Sequence, residues 1–461
     1  MRGGSLLLAF FLAATGCAST TIDYSGLRSA AEARERQGGS AAAPKSGEVN
    51  ALLSRPLTAE SAAAVAVLNN RGLRATIEEL AIAQAGLASI RRLPNPTVEG
   101  AMRFHGEGDP ELEVGAMIDV TELLLVLSRG GAAAAGVEAA RLEAVGAILD
   151  LSYHAREAFF EYQAALQTLE LRRTVMQALS ASADLANRLR EAGNITELEL
   201  ASEQSVFQEA RLNYQRAEAS LASARERVNA ALGLWGRGTE WRAAERLPDL
   251  PDRELPTETL EQEAIRRSLD LEVAKRRFTA AAKLSNVSRA AGFLPELRAG
   301  ISAERDEEWA VGPAVELEVP LFYQGQGEVA VARARMRQQQ ELYTDAAVRV
   351  RATARDVATR LRTARDAVVY YRDVLLPLKQ RVVDETQLQY NAMSVGVFQL
   401  LQAKRDQVET ASAYIDQLRE YWVARTRAEQ LLSGRLGTQA AGGVSVPVGT
   451  AGSSQDSAVA H

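Results

Sequence analysis

Four short segments of the chain alternate apolar and polar residues with a period of two, which predicts β-strands. These segments cover residues 97–105, 112–120, 296–304 and 314–321. Alternation of this kind places one face of each strand in apolar surroundings and the other face in water. Each run also has about the 9–11 residues that a tilted membrane strand needs. The four segments are therefore candidates for membrane strands.

Four strands from one chain cannot close a barrel, and an open sheet edge leaves backbone N–H and C=O groups without partners in lipid. Two interpretations follow. Either several chains contribute strands to one barrel, or the strands form two half-buried hairpins outside a membrane. Considered alone, hairpins on a soluble surface are the commoner arrangement, so the strands do not decide between the two.

Long stretches between the strands place apolar residues at alternating three- and four-residue spacing, which predicts coiled-coil helices. The run Phe207–Ala231 follows this rule without a miss, and the stretch after Val329 continues it for many turns. A helix over residues 130–192 would extend about 95 Å, which is far longer than a globular core requires. Pro377 lies inside one such stretch, so we expect a kink near Leu376.

The same elements occur twice, roughly 200 residues apart, and a repeat of this kind dictates the architecture. Each copy contains an amphipathic helix, a Leu-Pro dipeptide, two strands, a glycine-bearing break, a long helix, a tight turn and a return helix. The corresponding segments are the helices 58–92 and 257–291, the dipeptides Leu93-Pro94 and Leu294-Pro295, the breaks 128–131 and 324–327, and the turns 192–196 and 393–397.

The amino terminus reads as an export signal. Residues 1–17 contain a short basic start, an apolar core and small residues that lead to Cys17, the only cysteine. The stretch Ala14–Cys17 resembles the lipobox of bacterial lipoproteins, although Leu is preferred at the position of Ala14. Such a cysteine carries acyl chains, and Ala18 after it implies sorting to the outer membrane. An ordinary cleaved signal with a chance cysteine is the alternative.

Composition excludes several classes. The net charge of −6 argues against general nucleic-acid binding, and one Cys with three His leaves little for a metal cluster or disulfide framework. No run of 18 or more apolar residues occurs beyond the first twenty, so no transmembrane helix is expected. No phosphate-binding loop or catalytic triad is recognisable, and we expect no enzyme activity and no cofactor. Residues 18–50 are expected to form a flexible tether, and residues 438–461 a disordered tail.

The span from about Leu57 to Gly437 resembles the TolC family of outer-membrane efflux proteins, in particular its lipoprotein branch. The resemblance rests on Leu93-Pro94-Asn95-Pro96 before the first strand and Val319-Pro320-Leu321-Phe322 with Gly325 and Gly327 after the fourth. Residues 390–401 and 421–425 resemble members that accompany heavy-metal efflux pumps.

This resemblance implies a mainly α fold with a small β part, in two efflux repeats over residues 51–245 and 246–437. It implies a homotrimer in which each chain gives four strands to a 12-stranded β-barrel, while the helices form an α-barrel across the periplasm. It also implies a lipid-anchored outer-membrane location, with a periplasmic adaptor and an inner-membrane pump of the resistance-nodulation-division type as partners. The resemblance implies an adaptor-contacting entrance at the two turns, in Gly193, Asn194, Ile195, Thr196, Ser394, Val395, Gly396 and Val397.

Two further function classes stay open at this point. A periplasmic adaptor would have a single helical hairpin flanked by β domains, and the twofold repeat speaks against it. An envelope coiled-coil structural lipoprotein would have no reason to carry four alternating strands. Acids often line the entrance of family members, and Glu191, Glu197 and Glu199 are the nearest acids here, but no motif decides whether they line a pore or are solvated helix-end charges.

Overall fold

The computed structural model describes residues 22–38, 49–104, 110–243, 246–292, 294–305, 308–319 and 321–437. The predicted signal peptide with Cys17 and the predicted tail 438–461 lie outside the described residues. The elements in chain order are α1 Tyr24–Gln37, α2 Val49–Leu53, α3 Ala59–Asn69, α4 Arg71–Ile90, β1 Thr97–Arg103, β2 Glu111–Asp119, α5 Val120–Glu191, α6 Glu197–Leu232, α7 Leu260–Arg267, α8 Leu269–Ala291, β3 Glu296–Arg305, β4 Trp309–Glu318, α9 Gln326–Tyr370, α10 Leu376–Asn391 and α11 Val397–Leu432.

The strands of both repeats join into one antiparallel sheet in the order β1-β2-β3-β4. β1 and β2 lie close to the predicted segments 97–105 and 112–120, although residue 105 itself is outside the described residues. β3 extends the prediction 296–304 by one residue. The prediction 314–321 is wrong for β4, which begins at Trp309 and ends at Glu318. Pro313 has no N–H to donate, but β4 is an edge strand, where one side of the backbone needs no partner within the chain.

The long helices pair as two antiparallel hairpins, α5 with α6 and α9–α10 with α11. The apolar seam that the sequence predicts in α6 is confirmed for most positions, with Phe207, Tyr214 and Leu221 only partly buried. Its buried members are Ala210, Ala217, Ala224, Val228 and Ala231. Alanine at these positions lets neighbouring helix axes approach closely. The predicted kink near Leu376 is present as a π turn at Tyr371–Leu375, directly before the proline-containing first turn of α10.

Each of the two predicted entry helices is broken once, which the sequence patterns 58–92 and 257–291 do not show. Asn70 ends α3 with an extended ψ of 121°, and its side chain accepts a hydrogen bond from the Leu73 N–H at the start of α4. Ser268 separates α7 from α8 in the same way, and its hydroxyl accepts from the Leu271 N–H. Both side chains therefore act as N-caps, which side chains of this type favour over continued helix.

The predicted break at residues 128–131 is wrong, because α5 continues through it for 72 residues. A Cβ at Gly130 would lie 3.3 Å from Arg91 Cγ, so glycine permits a close approach to the end of α4. Lys283 Nζ donates to the Gly131 carbonyl at 3.3 Å. Such tertiary contacts offset the roughly 1 kcal/mol that each glycine costs a helix. The break predicted at residues 324–327 is confirmed, since Gly325 adopts a left-handed φ of 67° before α9.

The predicted tether over residues 18–50 is wrong for Tyr24–Gln37, which form the packed helix α1. Leu27, Ala31 and Glu35 lie on one face and are buried. Glu35 makes the pattern look polar, yet it accepts a hydrogen bond from the Ser152 hydroxyl at 2.5 Å and lies 3.7 Å from the Arg156 guanidinium. A buried carboxylate with partners can thus occupy a core position.

The main core lies where helices of both repeats meet around α5. Aromatic side chains pack against one another there. The Phe160 and Trp422 rings stack with their centroids 5.1 Å apart, and the Tyr162 and Trp241 rings meet edge to face with their centroids 4.9 Å apart. Tyr421, fully buried, donates its hydroxyl to the Glu254 carboxylate at 3.0 Å. The contact between Phe160 and Trp422 joins the two repeats.

A buried arginine provides a second connection between the repeats. The Arg435 guanidinium donates to Asp150 of α5, with an Nη2–Oδ2 distance of 2.5 Å, and also to Asp270 of α8. The three side chains are only 17%, 16% and 18% exposed. Burial lowers the pKa of Arg435, but its hydrogen bond to Asp150 and the charge of Asp270 outweigh burial and raise it. The group therefore stays charged and neutralises two carboxylates.

Candidate channel-forming surfaces

The sheet has one continuous apolar face, because its register pairs apolar residues with apolar residues on neighbouring strands. Val98 lies opposite Ala116, Ala116 opposite Ile301, and Leu297 opposite Leu317. This face is uncovered within the chain. Its most exposed members are Val98, Met102, Ile301, Val311, Val315 and Leu317. The Val315 side chain, for example, is 69% exposed. An apolar face of this size in contact with water would be unusual for a soluble monomer.

The opposite face of the sheet is polar and mainly acidic. Glu99, Glu111, Glu113, Glu296, Glu304, Glu316 and Glu318 share it with Arg103 and Arg298. The Arg298 guanidinium lies 3.4 Å from the Glu296 carboxylate and 3.7 Å from that of Glu316. The Arg103 guanidinium lies 3.5 Å from Glu113. The sheet therefore suits lipid on one face and water on the other.

Both edges of this sheet are open. β1 pairs only with β2, and β4 pairs only with β3, so each edge strand presents a row of backbone groups without a neighbour in the chain. Lipid cannot satisfy such groups. Since four strands spaced ~4.8 Å apart span only about 19 Å, the edges of one chain cannot meet. The sheet is complete only when further copies add strands to it.

Aromatic side chains mark both ends of the sheet. Phe104 and Trp309 lie near the two strand-to-strand connections, and Phe322 and Tyr323 lie after β4 near the helices. All four are exposed, Phe322 to 95%. Aromatic residues occupy this position at the two membrane–water interfaces of membrane barrels.

Helix-capping hydrogen bonds and a hydrogen bond from Arg190 stabilise the first predicted entrance turn. Gly193 has φ 75°, and the Asn194 N–H closes the end of α5 by donating to the Leu189 carbonyl at 2.8 Å. Thr196 caps α6 in a capping box with Glu199, whose pKa is lowered by the hydrogen bond from the Thr196 backbone N–H and by that from its hydroxyl. Ile195 offers its carbonyl to Arg190 at 3.2 Å.

The second predicted entrance turn has the same backbone course with different side chains. Met393 has φ 57°, and Ser394 N–H closes the end of α10 on the Gln389 carbonyl. Gly396 caps α11, and its N–H donates to the Gln399 side chain at 2.8 Å. Val395 and Val397 complete the turn. The sequence predicts a glycine at each reversal; here the left-handed position is Met393, and the glycine is at the cap.

Replacing Met393 with glycine should stabilise the second turn. A non-glycine residue in the left-handed region costs about 1–2 kcal/mol, and the 93% exposed Met393 side chain has little contact to lose. We expect slower hydrogen exchange of the backbone amides between residues 388 and 398 in Met393→Gly. Ser394→Gly is the matched control, because Ser394 has no positive φ and glycine should loosen it. Equal rates of hydrogen exchange in Met393→Gly and the unsubstituted protein would contradict the claim that the backbone is strained at Met393.

Each group of four predicted entrance residues thus lies together at the end of its own hairpin. Of the nearest acids, Glu197 pairs with Arg190 at 3.1 Å and Glu199 caps a helix, whereas Glu191 is exposed at the end of α5. The charged face of the sheet was not singled out from the sequence as a functional surface. The Glu and Arg residues that alternate with apolar residues in the four strands would have identified this face from the sequence.

Two features of the described residues bear on other functions. The helix α5 is long and apolar enough to cross a membrane by length and composition, and a third of its most apolar stretch is buried. It packs against α3, α4, α6, α8 and α11. Within the described ranges no group of three or more His, Cys, Asp or Glu could hold a metal ion.

The described residues thus combine an incomplete two-faced sheet with two long helical hairpins. No protein-family profile matches the chain. The cobalt-zinc-cadmium resistance protein CzcC of Cupriavidus metallidurans is 23% identical over 394 residues, which is 82% of this chain and 90% of that relative.

Solved structures share the fold. A crystal structure of CusC, from work on its folding and transmembrane channel formation, matches with a TM-score of 0.68 and 19% identity, over 82% of this chain and 92% of CusC. The CmeC outer membrane channel of Campylobacter jejuni matches with a TM-score of 0.72 and 15% identity, over 82% of this chain and 85% of CmeC. The chain has the fold of these channels, and the resemblance to the TolC family predicted from the sequence is confirmed.

Proposed function

We propose that the chain is the outer-membrane channel component of a tripartite efflux system, in which three copies form one passive conduit. The observation that carries this proposal is the open sheet with an exposed apolar face and a charged opposite face. Three copies supply twelve strands, which closes every edge. The diameter of a barrel grows with its number of strands, and the interior of an eight-stranded barrel is just filled by side chains. A barrel of about twelve strands is therefore wide enough to enclose water.

The helices continue this conduit away from the membrane. The 72 residues of α5 extend about 108 Å. We infer that the two turns at the far ends of the hairpins contact a periplasmic adaptor and an inner-membrane pump of the resistance-nodulation-division type. The pump supplies the driving force, because the chain has no recognisable nucleotide-binding or catalytic motif. The two full hairpins disfavour the adaptor alternative, which would have one.

The cargo class is inferred from the curated relative. CzcC is a cobalt-zinc-cadmium resistance protein. We propose divalent metal ions as the first cargo to test, with other small molecules next. Cells that lack the chain should become sensitive to the exported compounds, and growth profiling with metals, detergents and antibiotics measures this. An unchanged profile in a strain that has no second channel of this fold would contradict the proposed function.

We also propose that Cys17 carries the acyl chains that anchor the protein. Acyl chains contribute about 0.8 kcal/mol per buried CH₂, so two or more together anchor stably. Radioactive palmitate should label the intact protein in cells, and Cys17→Ser should abolish the label. An unlabelled wild-type protein would contradict the anchor and leave the conduit proposal unaffected.

A further inference from the structure

The first two turns of α5 carry an apolar face that no other described element covers. Leu123, Leu124 and Leu127 are 38%, 62% and 85% exposed. Residues spaced by three and four positions share a helix face, so Leu127 lies beside both Leu124 and Leu123. Leu125 and Val126 lie on the other side and are 7% exposed each. The start of this long helix therefore carries leucine side chains both on its buried side and on its exposed side.

This apolar face is held rigidly at the end of the sheet. The Asp119 side chain caps α5 by accepting from the Glu122 N–H at 2.7 Å. The Thr121 hydroxyl donates to the Pro295 carbonyl and accepts from the Leu297 N–H, both at 2.8 Å. The first turn of α5 is thereby fixed to the beginning of β3. The leucines cannot turn inward without breaking these bonds.

The height of the sheet leaves room for a further lipid-contacting element. A strand of nine residues such as β2 is about 30 Å long, and a tilt of ~45° reduces its height to about 21 Å. The apolar band of an outer-membrane barrel is about 25 Å tall. Leu123 and Leu124 lie about 5 Å along the helix axis from its first residue, and Leu127 about 10 Å. The three leucines thus extend the apolar height by about 5–10 Å, which more than covers the ~4 Å that the sheet lacks.

The corresponding junction in the second repeat exposes apolar side chains on a different backbone. Residues 321–325 precede α9 without helix, and Leu321, Phe322 and Tyr323 are 73%, 95% and 62% exposed. One junction is helical and the other is not, so local propensity does not explain the shared exposure. A common environment at this level explains it.

The position of α5 in the sheet distinguishes lipid from a second copy of the chain. α5 follows β2, which has β1 and β3 of its own chain on either side. The edges that require another copy are β1 and β4. The exposed leucines therefore emerge at the end of the sheet, away from both edges that require another copy.

We propose that Leu123, Leu124 and Leu127 form a lipid-contacting helical surface that inserts into the periplasmic leaflet of the outer membrane. This proposal rests on the proposed channel function. Its ligand is the acyl and glycerol region of phospholipid, which the apolar face of an interfacial helix recognises. The surface adds membrane contact that the barrel strands alone do not provide.

Site-directed spin labelling of the full-length protein in phosphatidylethanolamine–phosphatidylglycerol vesicles tests this proposal. Labels at Leu127→Cys and Leu124→Cys are compared with labels at Val315→Cys on the sheet and Leu198→Cys near the first turn. Unsubstituted protein, labelled in parallel, reports any signal from Cys17. We expect the ratio of oxygen to nickel-chelate accessibility at Leu127 to exceed that at Leu198 by roughly an order of magnitude.

The outcomes separate the two proposals. A high ratio at Val315 with a water-like ratio at Leu127 would overturn the helical lipid surface and leave the channel intact. Low accessibility to both reagents at Leu127, with dipolar broadening between labels, would show a second copy at this position and also overturn it. Water-like ratios at both Val315 and Leu127 would overturn the channel function itself.

Discussion

Replacing Val315 with arginine should prevent the protein from assembling in the outer membrane. Val315 lies near the middle of β4 on the apolar face. An arginine at the bilayer midplane of a barrel costs about 2–4 kcal/mol, so three copies accumulate about 6–12 kcal/mol. We expect trimer in the outer-membrane fraction to fall below detection, as measured by fractionation and electrophoresis without heating.

Ala314→Arg is the matched control for this variant. Ala314 precedes Val315 in β4 and lies opposite Gly300 on the charged face, where an arginine faces water and neighbouring acids. It should assemble at close to the normal level. Loss of assembly in Ala314→Arg with retention in Val315→Arg would mean that the two faces of the sheet are assigned the wrong way round.

Arg435→Met should lower the free energy of unfolding by about 3–5 kcal/mol, which is the usual cost of removing one partner from a buried ion pair. Asp150 and Asp270 would then lie largely buried without the cation that neutralises them, and α5 and α8 would lose the ion pairs that join them through Arg435. Urea unfolding followed by tryptophan fluorescence measures the change, since Trp241 and Trp422 lie in the main core.

Two further variants distinguish charge from packing. Arg276→Met removes an exposed arginine that pairs with Glu272, and its effect should stay within about 1 kcal/mol. Arg435→Met combined with Asp150→Asn and Asp270→Asn should recover much of the lost stability. If the triple variant is as unstable as Arg435→Met alone, the loss comes from packing and not from uncompensated charge.

The sequence predicted the elements whose patterns are local. Alternation over residues 97–105 and 112–120 gives strands, and the seam from Ala210 to Ala231 gives a long helix, because backbone periodicity alone determines which side chains share a face. The two hairpin turns were placed correctly for the same reason, and their role as an entrance stays a prediction. Glycine or a cap at each reversal marks the point where the periodicity ends.

The sequence did not predict features that depend on distant partners. Glu35 makes α1 look like a polar tether, and its burial becomes favourable only beside Ser152 and Arg156 in the folded chain. Gly130 signals a break, yet contact with Arg91 lets the helix continue. The start of β4 at Trp309 depends on its pairing with β3. Long-range contacts override local propensity in each case.

The candidate surfaces divide in the same way. The two faces of each strand follow from the alternation, but their union into one sheet follows from the pairing of β2 with β3, which joins the repeats. The sequence predicted which residues form the two hairpin turns, but it did not predict the left-handed φ of Met393. A methionine gives no sequence signal for that conformation.

Cross-linking of the two open edges tests the central claim most directly. Ala101→Cys on β1 and Ala314→Cys on β4 both lie on the charged face, and a flexible bismaleimide joins them across a subunit boundary. The double variant in membranes should yield a covalent species of three chains, and neither single variant should cross-link, because the contact joins two different edges. Monomer alone from the double variant, or dimers from either single variant, would contradict a ring of three subunits closed through β1 and β4.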